Sequence, residues 1–339
     1  MNPQTPSYAR SSIFAFDPGQ DAERLIEDCQ SWGIGELILH PGFFAKPGME
    51  TLMQDRGMSL WLNLPVFYNP GYLETQPDHY ALTNQGRRAI HEWCHFVCPT
   101  APGYVDGLIE EYRALVTRLK PARISLDFIR TFVFWELVAL DGGRDAIEDG
   151  CYCPRCLAEF ARETGTDLPQ DNPVAFLRGP ASEAWGRWKA RRIHAVASRF
   201  VAMLREACPR AQLLIKLVPW RESELGGAIL GAAGQDIPAL ASLVDVTIPM
   251  AFSHILGRDL AWKESLLAHM REQTGKPVGC YVQTNPLFRD EEIPVGQVAA
   301  ELEAALSGGY GAIPIFWYEQ LAQSSAVIET IRSILKQNP

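Results

Sequence analysis

The chain has 339 residues, 47% of them hydrophobic and 21% charged, enough for one large globular domain or two ordinary ones. Its net charge of -9 comes without any Lys/Arg cluster, which argues against nucleic acid or an anionic membrane as the main partner, since both need a basic face. No stretch approaches the roughly 18 consecutive apolar residues of a membrane span, and Met1 to Ser12 has neither the basic region nor the apolar run of a leader. A cytoplasmic protein is expected. Its eight cysteines then read as free thiols or metal ligands rather than disulfides.

Apolar periodicity alternates between strand and helix along the chain. Ser12 to Phe16 reads as a strand ending at Asp17, and Asp21 to Trp32 as a helix stopped by Gly33. Glu36 to His40 is a second strand, closed by a Pro-Gly turn. Met49 to Met58 is a short helix, and Ser59 to Val66 a third strand that carries Asn63. The segment from Phe67 to Pro99 is irregular and rich in Pro, Tyr and His. Loops of that length in compact domains are usually functional. Pro102 to Lys120 carries one apolar stripe and reads as a helix. The fourth strand, Ile124-Ser125-Leu126, ends at Asp127.

Helical pattern returns over Pro154 to Thr164 and Ser182 to Ala207. Strand five, Gln212 to Val218, carries Lys216 and runs into Pro219-Trp220. A helix over Ile237 to Leu243 precedes strand six, Val244 to Phe252, which leads to His254. A helix over Leu260 to Gln273 precedes strand seven, Val278 to Val282, ending near Gln283. A helix over Val295 to Leu306 precedes strand eight, Gly311 to Trp317, ending at Tyr318-Glu319. Ala322 to Leu335 is the last helix. Eight strands, each followed by helical pattern and without a linker-like break, predict a single (β/α)8 barrel over residues 1–339. Long loops at 67–100 and 131–156 are placed at its C-terminal face. An open doubly wound sheet is disfavoured, because no glycine-rich phosphate fingerprint follows the first strand.

In such a barrel the chemistry sits at the C-terminal strand ends. The polar residues expected there are Asp17, His40, Asn63, Asp127, Lys216, His254, Gln283 and Glu319. With Tyr68, Trp135, Trp220, Phe252, Trp317 and Tyr318 they describe a polar cup walled by aromatics. Aromatic faces stack on sugar C–H faces while carboxylates and amides bond hydroxyls, so a small carbohydrate is the expected partner. The plain alternative is the wall of any small-molecule pocket.

Asp127 ends an apolar strand with Arg130 three residues on, and a nearby cation lowers a carboxylate's pKa. That suits a nucleophile or electrostatic stabiliser. The alternative is a structural Asp-Arg pair. Glycoside hydrolysis usually needs a second carboxyl. Glu319 (beside Trp317 and Tyr318, whose apolar faces would raise its pKa), Glu136, Glu222 and Glu224 are the candidates. Lys216 could form a Schiff base, bind a carboxylate or hydroxyl, or snorkel outward. His40 and His254 read as pocket histidines, with metal ligation the alternative. Cys151-Tyr152-Cys153-Pro154-Arg155-Cys156 packs three soft ligands into six residues. Cys98, or failing it Cys94, can complete a closed tetrahedral zinc site, which would be structural.

At that cysteine run, with Ala158-Glu159-Phe160 after it, the chain resembles the zinc cluster of family 42 β-galactosidases, glycoside hydrolases on a (β/α)8 barrel. In them an upstream cysteine, matching Cys98, completes the site. The likeness covers about Cys94 to Phe160. Those enzymes end strand four with an Asn-Glu pair, where this chain has Asp127-Phe128-Ile129-Arg130. They end strand seven with a catalytic Glu, where this chain has Gln283. Leu126 to Arg130, Pro249-Met250-Ala251-Phe252 and Phe316-Trp317-Tyr318 resemble the uncharacterised glycosyl-hydrolase-like barrels related to family 18. Both resemblances imply the barrel and sugar chemistry, and neither transfers a catalytic pair. The expected function is therefore a glycosidase built on Asp127 with Glu319 or Glu136. A sugar-acid lyase, aldolase or isomerase acting through Lys216, and a non-catalytic sugar-binding barrel, are the other readings. A homo-oligomer is left open.

Overall fold

A computed structural model describes residues 11–139 and 141–338. The part of the leader reading that falls on residues 1–10 lies outside them. Eight parallel strands form one sheet: β1 (Ser11–Phe14), β2 (Glu36–Leu39), β3 (Ser59–Pro65), β4 (Arg123–Asp127), β5 (Gln212–Leu217), β6 (Val246–Pro249), β7 (Val282–Gln283) and β8 (Ile313–Phe316). Their spatial order is β6-β5-β4-β3-β2-β1-β8-β7. At the two ends of that order, Thr247 of β6 bridges Val278, just upstream of β7, and Gly279 bridges Ala312 beside β8. The Thr247 N–H donates to Pro277 O at 3.1 Å and the Gly279 N–H to Thr247 O at 2.8 Å.

Strands β1, β2 and β6 are buried along their whole length, as parallel strands covered on both faces must be. Helices such as Ala22–Trp32, Tyr104–Leu119 and Ser182–Ala207 supply the cover. Ala22–Trp32 starts on the Asp21 side chain, which accepts the Glu23 and Arg24 N–H groups. It stops at Gly33 in the left-handed region (φ 87°), as its sequence predicts. No helix among the described residues is long and apolar enough to cross a membrane.

Several boundaries differ from the sequence reading. Strand six is only Val246–Pro249. Regular pairing in strand seven is confined to Val282–Gln283, with single bridges at Val278 and Gly279. Strand eight ends at Phe316, and Tyr318–Leu321 forms a helical turn. Pro70–Thr75 and Pro173–Arg178 are short helices that the periodicity did not predict, each opened by an Asn side chain and a Pro.

Two long loops rise above the C-terminal ends of the strands. Residues 67–100 hold a small antiparallel ladder, Ile90–His91 with Cys94–His95. The single bridges Thr83–Gly150 and Val133–Asp149 tie this loop to 131–156 and that second loop to itself. Asp149 is fully buried and accepts from Arg144 (2.8 Å), Arg178 (2.6 Å) and Lys189 (2.8 Å). Burial lowers the Lys189 pKa and Asp149 opposes that shift. This cluster moors loop 131–156 to the helices behind it.

Candidate active site

The site grows from a chain of side chains on alternate residues of β3, β4 and β5. Strand periodicity of two puts Trp61 and Asn63 on one face, Ser125 and Asp127 on one face, and parallel pairing sets Asn63 opposite Ser125. Trp61 Nε1 donates to Ser125 Oγ at 2.8 Å, and Ser125 Oγ to Asn63 Oδ1 at 2.7 Å. Asn63 Nδ2 then donates to Asp127 Oδ2 at 3.0 Å. Lys216 Nζ donates to the same Oδ2 at 2.8 Å and lies 4.3 Å from the centre of the Phe14 ring. Asp127 Oδ1 takes the Phe128 N–H at 2.8 Å. Both ends of the Asp127 carboxylate are thus held. Burial lowers the Lys216 pKa, while Asp127 pulls it back up.

Asp127 opens into a cavity of about 530 Å³. Of the residues expected around it, His40, Asn63, Tyr68, Arg130, Trp135, Glu136, Lys216, Phe252 and Trp317 line this cup. His40 accepts the Gly42 N–H on Nδ1 (3.1 Å), so Nε2 carries the proton donated to Phe16 O (3.0 Å). Glu136 sits on loop 131–156, and its Oε2 is buried without a hydrogen-bond partner. Burial lifts the Glu136 carboxyl to about 7, against the pull of Arg130 and with help from Asp127.

Other expected residues lie elsewhere. Glu319 is carried by the turn Tyr318–Leu321 away from the cup, and its Oε1 accepts the backbone N–H groups of Phe16 and Asp17, each at 2.7 Å. Asp17 is exposed and accepts the Gly19 N–H in a local turn. Trp220 is fully buried and Tyr318 donates to Asp28 (2.9 Å), both outside the cup wall. His254 Nε2 faces Glu291 O at 2.7 Å. Gln283 donates to Asn285 O (2.9 Å) and supports a loop. Glu222 pairs with His269 and Glu224 with Arg221. Neither His40 nor His254 joins a metal-sized cluster among the described residues. The cation on Asp127 is Lys216 and not Arg130, whose Nη1 donates instead to Val133 O at 2.7 Å.

The cup also uses residues that periodicity did not single out. Trp93, 45% exposed, comes from loop 67–100, and Phe288 from the loop after β7. The aromatic richness of loop 67–100 was the available signal for Trp93, whereas nothing in the pattern marked Phe288.

Cys98, Cys151, Cys153 and Cys156 are buried with their sulfurs all within 4.8 Å of one another. Cys98 Sγ lies 3.4 Å from Cys153 Sγ and 3.6 Å from Cys156 Sγ. A tetrahedral thiolate site with metal–sulfur bonds of about 2.3 Å needs sulfurs roughly 3.8 Å apart. Leu82 N–H points at Cys151 Sγ (3.4 Å) and Cys156 N–H at Cys153 Sγ (3.5 Å), the outer bonds a thiolate accepts. The group could hold a metal ion. Cys94 stays outside it, its thiol pushed up to about 12 by burial.

The sequence matches no protein-family model and no curated protein. Its fold is similar to solved glycoside hydrolases. The β-galactosidase of the psychrophilic Marinomonas ef1 superposes with a TM-score of 0.72 at 13% identity, over 97% of this chain and 59% of that one. The PgaB (BpsB) glycoside hydrolase domain from Bordetella bronchiseptica gives 0.66 at 15%, over 96% and 99%. Gan42B, a GH42 β-galactosidase from G. stearothermophilus, gives 0.68 at 12%, over 97% and 56%. At these identities the likeness is one of fold, and this chain spans under two thirds of either β-galactosidase.

Removing one member of the Asp127–Lys216 pair leaves a buried charge without its counter-ion. Lys216→Met should therefore lower unfolding stability by about 3–5 kcal/mol, and adding Asp127→Asn should restore part of the loss. Urea unfolding of the two single variants and the double variant measures that coupling.

Proposed function

We propose that the protein is a single-domain, closed (β/α)8 glycoside hydrolase acting on a small carbohydrate, with Asp127 and Glu136 as its two carboxyl groups. The parallel bridge between Thr247 and Val278 supports closure of the sheet. The observation that carries the catalytic reading is the contrast between the two carboxyls lining one aromatic cup. Asp127 is fixed by a lysine, an amide and a backbone N–H. Glu136 is half-buried, with its Oε2 buried and unpartnered, and its carboxyl is raised to about 7. Environments that separate two carboxyls in this way separate base from acid.

In this reading Glu136 gives its proton to the leaving-group oxygen. Asp127, held by Lys216, Asn63 and the Phe128 N–H, meets the positive charge that develops at the sugar carbon, as nucleophile or as stabiliser. The rings of Tyr68, Trp93 and Trp317 offer faces for the sugar. Asn63 and His40 orient the site rather than react. Lys216 Nζ is held at 2.8 Å by Asp127 inside the sheet, and that engagement weighs against its attacking a carbonyl as a Schiff-base lyase would require.

The four cysteines hold a structural zinc in the same proposal. With four protein sulfurs the site has no open position, and the metal would clamp loop 67–100 to loop 131–156.

Turnover of an aryl glycoside panel should find at least one substrate. Asp127→Asn should lose on the order of a thousandfold in kcat/KM, about 4 kcal/mol of transition-state stabilisation. No turnover on any member, with binding retained, would leave a sugar-binding barrel.

The general acid must be protonated, so kcat/KM should fall as pH rises through about 7. Glu136→Gln should remove that limb. It should also spare dinitrophenyl glycosides, whose leaving group needs no proton, while stopping alkyl glycosides. A limb unchanged in Glu136→Gln would assign the acid to another residue.

Metal analysis of the purified protein should give about one zinc per chain. Cys153→Ser should release it and lower the melting midpoint by on the order of 5–10 °C.

A further inference from the structure

Arg130 is only 2% exposed, yet it forms no ion pair among the described residues. Its Nη1 donates to the carbonyl of Val133 at 2.7 Å and, at 3.4 Å, to that of Thr131. Its Nε is buried with no partner. The guanidinium lies 4.8 Å from the centre of the Phe96 ring and 5.6 Å from that of Phe128, so its plane is fixed by aromatics. It lines the same cup as Asp127 and Glu136.

The other charges of the cup do not balance it. Lys216 and Asp127 neutralise each other. Glu136 feels Arg130 without forming an ion pair with it, and burial raises its carboxyl to about 7. A buried arginine with an unmet donor and no counter-ion is a costly arrangement for stability alone. It is the arrangement a site needs when the counter-ion arrives with the ligand. Arginine's planar fork matches a carboxylate in a way that lysine's point charge does not.

We propose that the cup takes an acidic sugar, a uronic-acid unit whose carboxylate becomes the counter-ion of Arg130. The inference rests on the carbohydrate-site reading above. The aromatic walls take the ring face and Arg130 selects for the charged carbon substituent. A neutral hexose would bring the guanidinium no counter-ion.

Isothermal titration of the full chain with 4-nitrophenyl 1-thio-glycosides, which resist hydrolysis, tests this. The panel is glucuronide and galacturonide against glucoside and galactoside, both anomers of each. At low salt an acidic member should bind about ten- to a hundredfold tighter than its neutral counterpart, the worth of a charge-assisted hydrogen bond. Arg130→Gln should abolish that preference. Arg130→Lys, which keeps the charge and loses the fork, should retain part of it and serves if the Gln variant fails to fold.

Equal affinity for charged and neutral members, or a preference that survives in folded Arg130→Gln, overturns the inference and leaves the sugar site standing. Binding of no member overturns the sugar site itself. Acidic members that bind as thio-glycosides, while the ordinary oxygen-linked uronides are never hydrolysed, would uphold this inference and remove the hydrolase.

Discussion

A lysine and an aspartate meet inside a parallel sheet whose strands are buried on both faces, and the rest of the site follows from how that pair is tolerated. Such an interior penalises any polar atom left alone. Lys216 and Asp127 come from adjacent strands and meet at 2.8 Å, and a relay of Asn63, Ser125 and Trp61 satisfies the remaining polar atoms below them. Each member sits two residues from the next on its own strand, so the strand period itself builds the relay. Both oxygens of the Asp127 carboxyl thus reach the cup already hydrogen-bonded by the protein.

Above the strands, loop 131–156 carries Glu136, and loop position depends on anchors rather than on strand pairing. Two are visible. Asp149 gathers Arg144, Arg178 and Lys189 beneath the loop. Cys151, Cys153 and Cys156 at its far end gather against Cys98 of the neighbouring loop. Between the strand end and the loop, Phe128 adopts φ 49°, a region bulky residues avoid. That local strain, of about 1–3 kcal/mol, comes at the residue whose N–H binds Asp127 Oδ1 and whose ring stacks on Tyr68. A helical or extended turn there would not present both groups to the cup.

What could be read from the chain alone divides along the same line. The apolar runs located all eight strands, and Asp127, Asn63 and Lys216 were recognisable as polar breaks near strand ends. Cys98 was legible as the fourth thiol because three soft ligands in six residues demand one more. The partner of Asp127 was not legible. Arg130 is close in sequence, but parallel register brings Lys216, 89 residues away, to the carboxylate, and no local pattern encodes register between distant strands. Glu319 lies outside the cup lining for a different reason. A chain that turns helical after Phe316 rotates its next residues away from the strand direction, so that acid serves the backbone of residues 16 and 17. Trp220 and His254 show the same limit, since a residue beyond a strand end has no fixed facing.

Glu136 also occupies a boundary. It lines the aromatic cup and, with Ile255 and Phe288, a second cavity of about 410 Å³ that holds Asp141, Arg258 and Arg289. The first chamber is walled by rings, and the second is shallower and carries charges of both signs. An acid that protonates a bridging oxygen has to touch both halves of the molecule being split. In the proposed mechanism a half-buried carboxyl that lines both chambers meets that requirement. The burial that raises its pKa and its place between the two chambers thus have one origin, the packing of loop 131–156 over the strand ends.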